Sequence, residues 1–157
     1  MADFDTRRLS EWESSELSEL ELIVPSPMTG PFGKRKSDGE LSKHTLDNTG
    51  PRRFLVIEFD QGSLDEQAGL IWELGTRAPL IMVVFSGSKS LHAWFSCADV
   101  PETELRKFMN YAVTLGADKA TWTRSQFVRM PNARRSNGNP QDALFFNPNL
   151  IKTCTQS

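Results

Sequence analysis

From Arg53 onward, apolar runs alternate with polar breaks in a rhythm that separates strands from helices. Phe54 to Phe59 is an apolar run that predicts a buried strand. Ser63-Leu64-Asp65-Glu66 has the form of a capping box, with the serine at the cap and the glutamate three residues later. A helix should follow to about Thr76, with Leu64, Gln67, Ala68, Ile71, Trp72 and Leu74 near one face. Pro79 opens a second strand, Leu80 to Phe85, and Gly87 marks a tight turn. A third strand is expected from about Ser90 to Cys97. Asp99 is placed to cap a helix that starts near Pro101 and ends at Gly116. A loop, 117–125, leads to a short strand near Gln126–Met130, and Ala143–Phe146 predicts a last strand.

The order β-α-β-β-α-β predicts an α+β fold with an RRM-like (ferredoxin-like) sheet. Its usual strand order is 4-1-3-2, with the third strand antiparallel between the first two. Leu55, Ile57 and Phe59 should then face the helices together with Leu91, Ala93 and Phe95. The opposite face carries Val56, Glu58 and Asp60 beside Ser90, His92 and Trp94, so one face is expected to be core and the other chemistry.

Before Arg53 the pattern is weaker. Residues 1–21 are rich in Ser and Glu, with a faint helical period through Trp12, Leu17, Leu20 and Leu22. Residues 25–51 are dense in Pro, Gly, Ser and Lys, which predicts loops with at most short strands. The chain therefore divides into a small N-terminal module (1–51), the RRM-like unit (52–150) and a tail (151–157).

The apolar strand at Phe54 turns acidic only at its tip, as Glu58-Phe59-Asp60. Two carboxylates two residues apart on a strand share a face. The second apolar strand leads into Ser86-Gly87-Ser88-Lys89-Ser90-Leu91-His92, a small, hydroxylated, cationic turn. In the expected strand order these segments and Asp118, in the loop before strand four, meet at one edge of the sheet. Carboxylates at such an edge suit a divalent cation, Mg²⁺ or Mn²⁺, with triphosphate oxygens completing its shell. The turn suits a triphosphate, through backbone N–H groups, hydroxyls and Lys89. It lacks the spacing of a P-loop, and a strand follows it rather than a helix. His92 should contact phosphate, with metal ligation as the alternative. Arg129, between apolar neighbours, needs a partner such as a phosphate or a site carboxylate. Arg124, Arg134 and Arg135 read as surface cations that could track a nucleic-acid backbone. Trp94 and Trp122 can stack on a base or simply pack.

Composition narrows these options. The 157 residues are 38% hydrophobic and 24% charged, enough for a single domain with an apolar core. No apolar run approaches the roughly 20 residues of a membrane helix. No signal-peptide core is apparent, so a cytoplasmic location is expected. Cys97 and Cys154 are far apart and have few histidines for company, which argues against zinc. Cys97 should be a small buried residue. The net charge of −2 hides an uneven distribution. Residues 1–30 hold seven acids, whereas 119–139 hold Lys119, Arg124, Arg129, Arg134 and Arg135 with no acid.

Over about residues 52–135 the chain resembles the archaeo-eukaryotic primase superfamily, in particular the primase-polymerase cores of phages, plasmids and mobile elements. The resemblance rests on Glu58-Phe59-Asp60, on Ser90-Leu91-His92 within the Ser86–Lys89 turn, on Asp118, and on Arg129-Met130-Pro131. It implies a template-dependent nucleotidyltransferase, a DNA primase, a polymerase or both, in a prokaryotic cell. Glu58, Asp60 and Asp118 would hold the catalytic Mg²⁺ or Mn²⁺. Ser88, Lys89, Ser90 and His92 would hold the incoming nucleotide, and Arg129 would contact it or steady the carboxylates. The implied partners are (d)NTPs, a single-stranded DNA template and a helicase domain or protein; no membrane is implied. Residues 1–51 would be a reduced form of the family's N-terminal αβ module. The family's first acidic position is a glutamate here, and Val56 stays out of the motif. A non-catalytic RRM-like module that binds single-stranded nucleic acid is the alternative.

Overall fold

The computed structural model of the chain describes residues 4–152, a mixed α+β architecture. Cys154 lies outside the described residues. Among the described residues, the N-terminal part contains a one-turn helix, α1 (Leu9–Trp12), a 3₁₀ turn (Leu17–Glu19) and three two-residue strands, β1 (Leu22–Ile23), β2 (Gly33–Lys34) and β3 (Leu41–Ser42). The main unit follows with β4 (Phe54–Phe59), α2 (Leu64–Gly75), β5 (Leu80–Phe85), β6 (Leu91–Ser96) and α3 (Glu102–Thr114). Among the described residues, four short strands follow: β7 (Val128–Arg129), β8 (Ala133–Arg134), β9 (Pro140–Gln141) and β10 (Ala143–Phe146).

The principal sheet has the order β10-β5-β6-β4, with all neighbours antiparallel. β6 lies between β4 and β5, as expected for the third strand. The fourth strand differs from expectation. Val128–Arg129 does not join this sheet beside β4 but pairs with β1 in a separate two-stranded ribbon. β10 instead fills the outer edge of β5. The run around Gln126 holds too few apolar residues to form a full strand, and its two-residue ladder is completed by the N-terminal Leu22–Ile23.

Helix α2 begins where the capping box predicts. The Ser63 hydroxyl accepts the Glu66 N–H, and Glu66 accepts the Ser63 N–H. Its buried residues are Gln67, Ile71 and Leu74. Leu64, Ala68 and Trp72, expected on the same face, point to solvent, because the buried stripe is one narrow i, i+4, i+7 line. Asp99 does not cap α3. It sits at φ 64°, and Pro101 takes the cap position without a side-chain bond. The helix starts instead on proline geometry and an acidic first turn, Glu102 and Glu104.

One face of the sheet packs on the helices through Leu55, Ile57, Phe59, Leu91, Ala93 and Phe95, with Ile71, Leu74, Leu105 and Met109 opposite. The alternation expected from the sequence is realised on this face. The other face is not open. Val56, Ile81, Val84 and Trp94 form a second core with Val128, and Ile23 packs against it. The β1–β7 ribbon is thus a lid over the inner part of that face, and only its end remains polar.

Candidate functional site

The pairing of β4 with β6 sets Glu58 directly opposite His92 and Val56 opposite Trp94. The His92 Nε2 lies 3.5 Å from the Glu58 carboxylate and 3.4 Å from the Ser90 hydroxyl. The hydrogen bond from His92 holds the Glu58 carboxyl below its ordinary pKa; burial opposes this without cancelling it. His92 was expected on an open polar face. It is instead buried, 4% exposed. Its Nδ1 has no hydrogen-bond partner. Val56, one turn of the pleat further in, is 2% exposed and stays out of the polar cluster.

Asp60 leaves the strand end toward solvent. Its carboxylate pairs with Lys89 at 3.2 Å. The turn that carries Lys89 closes on itself: the Ser86 N–H bonds the Ser90 carbonyl, and the Ser90 N–H bonds the Ser86 hydroxyl. Ser88 and Lys89 are exposed at its crest. Gly87 sits at φ 76°, and a Cβ there would lie 2.7 Å from the Pro140 carbonyl oxygen. Only glycine fits both requirements.

Asp118 reaches the same end of β4 from the loop that precedes Val128–Arg129. Its main-chain N–H donates to the Glu58 carbonyl at 2.9 Å. Its carboxylate accepts the Ala120 N–H and caps a short 3₁₀ turn, Lys119–Trp122. The segment is therefore docked beside β4, while the side chain is engaged locally. Glu58 and Asp60 offer hard carboxylate oxygens from one strand end, the donor type that Mg²⁺ or Mn²⁺ takes. Among the described residues, no three His, Cys, Asp or Glu side chains gather into a group able to hold a metal ion. A cation here would rely on Glu58 and Asp60 and on oxygens brought by a substrate.

Arg129, Arg135 and Arg124 are engaged within the protein, whereas Arg134 lies at the surface as expected. Arg129 pairs neither with a site carboxylate nor with solvent. Its Nη1 contacts Glu21 at 2.6 Å and the Gln141 side-chain carbonyl at 3.4 Å. Arg135 reaches the Ser86 carbonyl at 3.3 Å and comes within 3.9 Å of the same Glu21 carboxylate. Arg124 donates to the Thr49 and Leu46 carbonyls, a tie between segments rather than a loose surface cation. Arg134 bonds the Gly138 carbonyl and remains exposed. Trp94 is packed in the second core. The ring of Trp122 is already covered by the guanidinium groups of Arg52, at 4.5 Å, and Arg106, at 3.9 Å.

Two buried glutamines hold the site together, and neither was marked by its chemistry in the sequence. Gln67 of α2 accepts the Leu91 N–H and donates to the Lys89 carbonyl, both at 2.9 Å, which fixes the turn. An amide on an otherwise apolar helix stripe was the available signal. Gln141 donates to the Glu21 and Met130 carbonyls and joins three segments. Asn139 bonds the Gly87 carbonyl at 2.8 Å. Nothing local distinguishes Gln141, Asn139 or Glu21 from the polar residues around them.

Two clefts, about 560 Å³ and about 400 Å³, open around Cys97 at the opposite end of the β4–β6 pair. They are lined by residues such as Arg52, Arg124, Leu105 and Phe108, and neither touches Glu58, His92 or Lys89. Cys97 is buried as expected, and burial pushes its thiol up to about 12. Compared with protein-family models, curated proteins and solved structures, the chain matches none of them.

Proposed function

We propose that the protein is a template-dependent nucleotidyltransferase, a primase or polymerase of the archaeo-eukaryotic primase type, acting on (d)NTPs along a single-stranded DNA template. One observation carries this: Glu58, Ser90 and His92 form a single polar cluster at one sheet end, flanked by the Asp60–Lys89 pair and by the docked Asp118 segment. The run β4-α2-β5-β6-α3, with β6 between β4 and β5, fits the first five elements of a ferredoxin-like unit. In this reading β10 is a late addition to the far edge, and the 117–122 segment stands where the fourth strand would run.

Lys89 and the exposed crest of its turn would receive the triphosphate, releasing Asp60 for the reaction centre. His92 would act by holding Glu58 ionised and correctly turned, a positioning role suited to its burial. Mg²⁺ or Mn²⁺ on Glu58 and Asp60, with Asp118 released from its cap, would supply the charge neutralisation that 3′-hydroxyl attack and pyrophosphate departure require. The lid packs Trp94 of β6 against Val56 and Val128 and so closes that ring to a base, which counts against an RRM-like module that reads bases by stacking on its central strands.

Purified protein incubated with Mn²⁺ or Mg²⁺, a single-stranded template and nucleotides should make or extend primers. Asp60→Ala should lower the rate about a hundredfold or more. Equal activity in Asp60→Ala and wild type would sink the assignment. Template binding that survives both chelation and Glu58→Gln, with no synthesis, would favour the binding module instead.

A further inference from the structure

Glu21 occupies a basic cradle whose chemistry matches a phosphate group better than a lone carboxylate. One carboxylate oxygen sits 2.6 Å from Arg129 Nη1 and 3.9 Å from Arg135 Nε. The other accepts the Ser136 N–H at 3.2 Å. Two guanidinium groups and a backbone N–H thus converge on one anion, and residues 119–139 contribute no acid of their own. Burial works against ionisation of Glu21, but the Arg129 and Ser136 hydrogen bonds and the two arginine charges outweigh it, so its pKa is lowered. Arg135 continues from the cradle to the Ser86 carbonyl. Asn139 of the same hairpin bonds the Gly87 carbonyl. The cradle and the Ser86–Ser90 turn are therefore built against each other.

We propose that Arg129, Arg135 and the Ser136 N–H form a polyphosphate-binding subsite, and that Glu21 is an internal anion which a nucleotide's triphosphate displaces. This rests on the nucleotidyltransferase reading and adds regulation to it: the N-terminal strap competes with substrate for the same cations. A phosphate offers more acceptor oxygens and more charge than a carboxylate, so two arginines favour it. The strap does not depend on the Glu21 side chain for its place. The Glu21 carbonyl accepts the Met130 N–H and the Gln141 amide, and β1 stays paired with β7. Replacing the carboxylate should therefore open the subsite without unfolding the lid.

The test is titration of full-length wild type, Glu21→Gln and Glu21→Ala with inorganic tripolyphosphate, without metal or template. Heteronuclear NMR would follow the Ser136 amide, and calorimetry the affinity. Both variants should bind about tenfold tighter than wild type, with the Ser136 resonance moving. Arg129→Gln in the Glu21→Gln background should reverse the gain. Unchanged or weaker binding in folded Glu21→Gln, checked by its melting curve, would overturn the proposal. So would a gain for a single-stranded oligonucleotide but not for tripolyphosphate. The two ideas fail separately. Tighter tripolyphosphate binding without primer synthesis keeps the subsite and removes the polymerase. Synthesis with the same nucleotide KM in Glu21→Gln and wild type keeps the polymerase and removes the displaced anion.

Discussion

At the scale of single residues, Glu58 and His92 are the informative pair. A carboxyl whose folded pKa lies below its unfolded value binds protons less tightly when folded. Its contribution to stability is complete above its ordinary value of 4.5 and is lost as pH falls toward the lowered folded value. Glu58→Gln should therefore flatten the acid limb of the stability profile. Urea titrations at pH 7, 5 and 3 should show wild type losing more stability than the variant over the lower interval. Parallel losses in both proteins would mean that the Glu58–His92 bond does not hold in solution. Val56 gives the complementary lesson: it lies two residues before Glu58 on the same strand face, and its burial keeps it apart from the partly exposed Glu58 and Asp60.

At the scale of elements, α2 is placed by its ends and used through its middle. The capping box defines where it starts, and Ile71 and Leu74 seat it on the sheet. Gln67 then connects the helix to the Ser86–Ser90 turn. Gln67→Ala would leave the Leu91 N–H and the Lys89 carbonyl unpaired in a buried setting. The expected cost is about 2–3 kcal/mol. Denaturant unfolding would measure it, and faster amide exchange should be confined first to residues 89–91. A loss below about 0.5 kcal/mol would mean that water replaces the glutamine freely. The same element explains a misjudged face. Leu64 and Trp72 are apolar and lie near the helical stripe by spacing, yet the sheet is too narrow to cover them, and Trp72 is 77% exposed. Periodicity reports which residues could be buried, while the width of the opposing layer decides which ones are.

At the scale of the whole molecule, the N-terminal segment acts as part of the fold. Ile23 packs against the core formed by Val56, Trp94 and Val128, and Glu21 ties β1 to the arginines. Deleting residues 1–24 should uncover the second sheet face. Loss of this apolar burial should cost about 3 kcal/mol or more. A lowered melting temperature and new binding of a hydrophobic dye at neutral pH would register it. An unchanged melting temperature would show that the ribbon contributes nothing to the fold.

The three six-residue strands, both long helices, the helix-facing core and the glycine turn were legible in the sequence, because each follows from a period, a cap or a backbone preference contained within a few residues. The meeting of Glu58 with Ser90 and His92 was also legible, since it needs only the antiparallel order of adjacent strands. The partners of Arg129 and Arg135, the burial of His92 and the lid over the second face were not. Each depends on segments distant in sequence and made of residues that look alike, such as the seven acids before residue 30. Only tertiary packing selects Glu21 from that set, because a charge pair is decided by which side chains are brought within a few ångströms and not by the pattern around either one.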